Sequence, residues 1–220
     1  MATSAPHTTE SVPPRTPQPL RLKELSPRSV AAFLADDPRL IVPIGGCHAA
    51  ATMLPLGCDT LILEHLADDL SATFRVLRAP TLEYGVSAVS RRPLRTEGPI
   101  GGAVRKKTLH LMLNDLVTSW EAAGVREFLL LSADGSDGHQ EALATVITAE
   151  ARVRVVDVFA MPLGDVSRDG ARGAILHYLE PRLVEAGASG EYINAGGRTL
   201  YERMRARVAE RVLGAPGSPR

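Results

Sequence analysis

The chain has 220 residues, 25 Lys plus Arg against 25 Asp plus Glu, and 45% apolar residues. That length suits one domain or one domain with a tail, and the apolar content suffices for a buried core. Zero net charge argues against a global pull toward nucleic acid or a membrane, 4% aromatics argue against a stacking platform for single strands, and no apolar run approaches the ~20 residues that span a bilayer. Cys47 and Cys58 are too few for a disulfide scaffold, and a reduced, cytoplasmic setting is expected. The N-terminus carries neither the basic nor the apolar region of a signal peptide.

Residues 1–21 are rich in Pro, Ser and Thr and show no apolar period, which predicts a disordered tail ahead of a domain over 22–215. Ser26-Pro27 is a helix start, a hydroxyl cap followed by proline at the first helical position, and the helix runs to about Asp36. Leu40 to Ile44 reads as a buried strand. Leu63, Leu66, Leu70 and Phe74 recur at spacings of three and four, which predicts a helix from Asp59 to Leu77. A short strand and turn follow around Ala79 to Gly85.

A longer helix covers Lys106 to Ala123, closed by Gly124. Phe128 to Ser132 is a buried strand that runs into Ala133-Asp134-Gly135-Ser136-Asp137-Gly138, with a helix from there to about Ala151, Asp137 serving as its cap. Val153 to Phe159 is another strand, and helices near Arg172 to Val184 and Arg198 to Leu213 complete the chain. Strands alternating with helices imply an α/β fold, a mostly parallel sheet sandwiched between helices. Ligands in such sheets sit at the carboxyl ends of the strands, so the loops after Ile44 and after Leu131 are where a site belongs.

Both loops carry motifs. Val42-Pro43-Ile44-Gly45, then Leu54-Pro55-Leu56-Gly57 and Asp59, resembles the opening motif of the creatininase (creatinine amidohydrolase) family, V-P-x-G-S-T-E-Q-H-G-P-H-L-P-L-x-T-D, without a gap. Tyr84-Gly85-Val86-Ser87 resembles that family's Y-G-x-S, and Ser132 to Asp137 lies where it has N-G-H-G-G-N. Its H-A-G-E-x-E-T-S…P-x-x-V can be laid on Ser167 to Val184, with Gly170 at the first glutamate. The resemblance implies a creatininase-like fold, oligomeric assembly, and a centre of two divalent metals that share an aspartate and activate water for amide hydrolysis.

Carried over residue by residue, the shared aspartate is Asp59, the first metal's glutamate falls on His48 and its histidine on Asp134. The second metal's histidine falls on Ala50 and its carboxylate on Ser136 or Gly170, so that site has lost its own donors. What the resemblance then implies is a degenerate member with no catalytic residues of its own, a binding or assembly partner in a homo-oligomer or beside a paralogous subunit. The alternative is an amidohydrolase for a small cyclic amide or related C–N bond, with at most one zinc or manganese per chain on His48, Asp59 and Asp134. A third reading is a small-molecule sensor using the emptied pocket and the basic cluster of Arg91, Arg92, Arg95, Arg105, Lys106 and Lys107. A Cys47–His48 nucleophile pair is disfavoured, because neighbours on an extended chain point to opposite sides.

Overall fold

The computed structural model describes residues 17–48, 54–86, 102–160, 166–184 and 196–214. Its strands are β1 (Leu20–Arg21), β2 (Arg39–Ile44), β3 (Leu77–Arg78), β4 (Glu127–Ser132) and β5 (Arg152–Asp157). They form one sheet in the order β1-β3-β2-β4-β5, every pairing parallel. The helices are α1 (Pro27–Asp36), α2 (Cys58–Phe74), α3 (Lys106–Ala122), α4 (Asp137–Ala144), α5 (Arg168–Leu179) and α6 (Gly197–Val212). The expected α/β architecture therefore forms. No helix among the described residues is long and apolar enough to cross a membrane.

The central strands are apolar on both faces because each face is covered. Leu40, Val42 and Ile44 of β2 and Phe128 and Leu130 of β4 pack with Leu34, Leu109, Leu113 and Val117 from α1 and α3. The alternate residues Ile41, Leu129 and Leu131 pack on the other face with Ile62 and Leu66 of α2, Ile175 of α5, and Met204 and Val208 of α6. Period-two alternation thus sorts one strand between two cores.

Helix ends explain where the elements depart from expectation. At α1, Ser26 Oγ accepts the Ser29 N–H at 3.2 Å ahead of Pro27, as read from the sequence. Helix α2 stops at Phe74, not Leu77, because Arg75 turns left-handed at φ 58°. Leu77, apolar and in helical phase, instead lies on the sheet as part of β3. Helix α4 ends at Ala144, well short of Ala151. Beyond it the Glu121 carboxylate accepts the N–H groups of Ala149, Glu150 and Ala151 at 2.9, 2.7 and 2.6 Å, turning the chain into β5.

Helix α5 begins four residues before the expected Arg172, where Ser167 Oγ accepts the Gly170 N–H at 3.1 Å, and it ends ahead of Pro181. Leu20 and Arg21, read from the sequence as tail, form β1 against β3. The buried Leu20 donates its N–H to Ser71 Oγ at 2.8 Å, and that hydroxyl donates to Val76 O at 2.7 Å. Residues 1–16, and Arg91, Arg92 and Arg95 of the basic cluster, lie outside the described residues. Of the rest of that cluster, Lys106 pairs with Glu141 at 2.7 Å.

Candidate functional site at the strand ends

The loop leaving β2 is pinned to the first turn of α2. A Cβ on Gly45 would stand 2.2 Å from Thr60 Oγ1 and 2.8 Å from Thr60 Cα, so only glycine allows this approach. The Gly46 N–H donates to Thr60 Oγ1, which donates back to Gly46 O, both at 3.1 Å. This clamp brings His48 and Asp59 to the same end of the sheet. Asp134 arrives from the loop after β4, where its Oδ1 accepts the Ser136 N–H at 2.8 Å in an Asx turn.

The three residues expected as metal ligands are thus neighbours, but their side chains are engaged differently. His48 Nε2 stands 4.0 Å from Asp134 Oδ2. Asp59, 3% exposed, faces Arg172 of α5 instead: the guanidinium Nε donates to Oδ1 at 2.7 Å and Nη2 to Oδ2 at 3.0 Å. Nη2 also donates to Ala133 O at 3.0 Å and Nη1 to Asp169 at 2.9 Å. The Phe159 ring lies 5.2 Å from the guanidinium carbon. Among the described residues no group of three or more His, Cys, Asp or Glu side chains is arranged to hold a metal ion. Ala50 lies outside the described residues.

Burial pushes the Asp59 carboxyl above its ordinary value, opposed by the Arg172 guanidinium and then by His48. Burial also works against the charged Arg172, but the carboxylates of Asp59 and Asp169 outweigh it and hold the guanidinium more firmly protonated. The bidentate geometry of the pair favours the ionised form of both partners.

The sequence reading missed Arg172 and His139. The signal for Arg172 was present: with Gly170 at the first glutamate of E-x-E, Arg172 falls on the second, a reversal of charge. His139, the third residue of α4, is fully buried, and its Nδ1 accepts the Val86 N–H at 3.2 Å. That bond leaves the proton on Nε2, which has no partner among the described residues; His48 Nδ1 and Ser136 Oγ are likewise buried and unsatisfied there. Unsatisfied polar atoms at the end of a sheet mark a place where a polar ligand or water can bind.

Burial lowers the His139 pKa from its ordinary 6.5. Below that value the unfolded chain takes up a proton that the folded site resists, so stability falls as the pH drops through this window. Urea unfolding between pH 7.5 and 5.5 should show this loss. His139→Asn keeps an acceptor for Val86 and removes the titration, so its profile should be the flatter one; equal slopes would assign the loss elsewhere.

A parallel α/β sheet with charged side chains gathered beyond its carboxyl ends has the layout in which ligands sit at the strand ends. The sequence model of the creatininase family, described as creatinine amidohydrolase, matches residues 23–191, and the chain belongs to that family. Solved structures agree on the fold. A creatinine amidohydrolase (creatininase) crystal structure superposes with a TM-score of 0.72 at 14% identity, covering 91% of this chain and 99% of the other. A manganese form of creatininase gives 0.64 at 13% identity, covering 86% and 99%. A putative creatinine amidohydrolase from Bacteroides fragilis NCTC 9343 gives 0.57 at 16% identity, covering 86% and 91%. No curated protein sequence matches the chain.

Proposed function

We propose that this chain is a non-catalytic member of the creatininase family that acts as a binding or assembly partner, in an oligomer of its own or beside a paralogous subunit. One observation carries the reading: both oxygens of Asp59 are hydrogen-bonded to a guanidinium. A shared metal ligand needs those lone pairs, and a tethered cation already neutralises that carboxylate. The second metal's donors are replaced by Ala50 and by Ser136 or Gly170, whose side chains offer at most one hydroxyl. The residues present therefore do not fit a two-metal centre. The orphan atoms at His48, Ser136 and His139 support binding of a small polar molecule beside them.

The approach of His48 to Asp134, at 4.0 Å, favours a second reading, a single zinc or manganese on His48, Asp59 and Asp134 that hydrolyses a small cyclic amide. Elemental analysis of the purified chain, with an assay of creatinine hydrolysis in added zinc or manganese, separates the two. The non-catalytic reading expects metal far below one ion per chain and no hydrolysis. One tightly held ion together with metal-dependent turnover would replace it by the second.

A further inference from the structure

Of the six exposed large apolar side chains among the described residues, three lie on one surface. Leu111 and Met112 belong to α3, Leu111 being 52% exposed, and Ile147, in the connection from α4 to β5, is the most exposed at 68%. Scattered apolar side chains need no explanation, whereas a shared patch marks a surface that another molecule covers. Ile147 is also held in place. Thr145 Oγ1 donates to Glu141 O at 2.7 Å and accepts from His110 Nδ1 at 3.2 Å. The other imidazole nitrogen accepts from Asn114 Nδ2 at 2.9 Å, and Asn114 Oδ1 accepts the Ile147 N–H at 2.9 Å. Asn114 is three residues from Leu111 and so neighbours it on the helix surface. The connection thus lies along α3 with Ile147 beside Leu111, and little loop freedom would be lost on docking.

The charges on this face select its partner. Lys107, Leu111 and Asp115 stand along one ridge of α3, each one turn, or about 6 Å, from the next. Lys107 and Asp115 are exposed and, among the described residues, in no ion pair, whereas the adjacent Lys106 is held by Glu141. A base one turn before an apolar centre and an acid one turn after it make a ridge complementary to its own antiparallel copy. A twofold axis at Leu111 sets Lys107 against the partner's Asp115 twice, with the two leucines meeting between them.

We propose that the outer face of α3, with Ile147 beside it, is an isologous contact between two copies of this chain. The inference rests on the assembly reading above and gives it a surface and a partner.

The test is sedimentation equilibrium of the full chain over about 1–100 μM, where wild type is expected to show a monomer–dimer equilibrium. Leu111→Asp, at the axis and therefore felt from both chains, should weaken the dimer about 100-fold. Lys107→Glu and Asp115→Lys each set like charges opposite one another at both ends of the ridge, and each should weaken it about tenfold or more. The two singly substituted chains, mixed, should dimerise again, because both charge contacts in the mixed pair then join opposite signs. The double variant Lys107→Glu with Asp115→Lys should recover for the same reason. Recovery on mixing shows in addition that both variants are folded, and a role confined to one chain would not produce it.

A wild type that stays monomeric to about 100 μM overturns the proposal and leaves the face open to a paralogous subunit instead. A dimer that these substitutions leave unchanged, or a loss that mixing does not reverse, overturns it as well. In each case the non-catalytic reading stands, since metal content and creatinine hydrolysis decide it. Metal-dependent turnover would be the different failure, removing that reading without touching the dimer contact.

Discussion

Asp59→Ala is expected to destabilise the fold by about 3–5 kcal/mol, read by urea unfolding at pH 7.5. The reason is the partner left behind. Arg172 is 9% exposed, and two of its four acceptor contacts end on Asp59. Truncating the carboxylate leaves a guanidinium that cannot lose its proton, buried between α2 and α5. Replacing both residues with apolar groups, as Asp59→Leu with Arg172→Met, should restore much of the loss, because neither charge then remains buried alone. The double-mutant cycle should show coupling of at least about 1 kcal/mol, as residues in one hydrogen-bonded pair do. A loss below about 1 kcal/mol in the single variant would mean that water or a neighbouring acid replaces Asp59, and the pair would not be what holds this corner.

Gly197→Ala is expected to be nearly as damaging, at about 3 kcal/mol or a drop of several degrees in melting temperature. Gly197 is the first residue of α6, where that helix meets α5. A Cβ there would fall 1.9 Å from the carbonyl oxygen of Ala174 and 3.1 Å from Tyr178 Cβ. The first of these is backbone in the middle of a helix, which cannot rotate aside as a side chain would. Relief requires α6 to move off α5, and α6 carries Leu200, Met204 and Val208 into the core. Gly196→Ala is the control: its added Cβ meets nothing within 4 Å, although its φ of 68° imposes a backbone cost. Losses of equal size in the two variants would point to backbone conformation rather than helix contact.

The three long strands and most helices were legible because each is bounded by a local signal. Leu40 to Ile44 and Phe128 to Leu131 are uninterrupted apolar runs, and Ser26-Pro27 is a cap whose hydrogen bond forms as read. What failed to show was decided at a distance. Leu77 fits the helical period of α2, yet Arg75 breaks the helix and the sheet claims the leucine, because burial against β2 outweighs local phase. The three N–H groups after α4 are gathered by Glu121, a residue on α3 that no local pattern connects to them.

The site follows the same rule. His48, Asp59 and Asp134 could be placed at the strand ends from motif spacing and the parallel topology. The role of Arg172 depends on α5 starting at Arg168, four residues ahead of where periodicity alone puts it. From that start Arg172 faces Asp59, although 113 residues separate the two. A sequence window sees an arginine in a helix; only the packing of α5 against α2 shows which carboxylate it answers.

The all-parallel pairing also bears on how the chain reaches its structure. No two neighbouring strands of this sheet are joined by a hairpin: β2 must find β4 across α2, β3 and α3, and β1 must find β3 across α1, β2 and α2. Loop-closure entropy is therefore met before the strand contacts repay it, which places folding toward the slow, millisecond-to-second end for a domain. Until its neighbours pair with it, β4, whose Phe128-Leu129-Leu130-Leu131 run is wholly apolar and fully buried in the folded chain, would be exposed on both faces and both edges. Newly made chains would be most vulnerable to self-association at that stage, and β5, whose Arg152 and Arg154 lie opposite Glu127 and Leu129 of β4, is the charged strand that covers one of those edges.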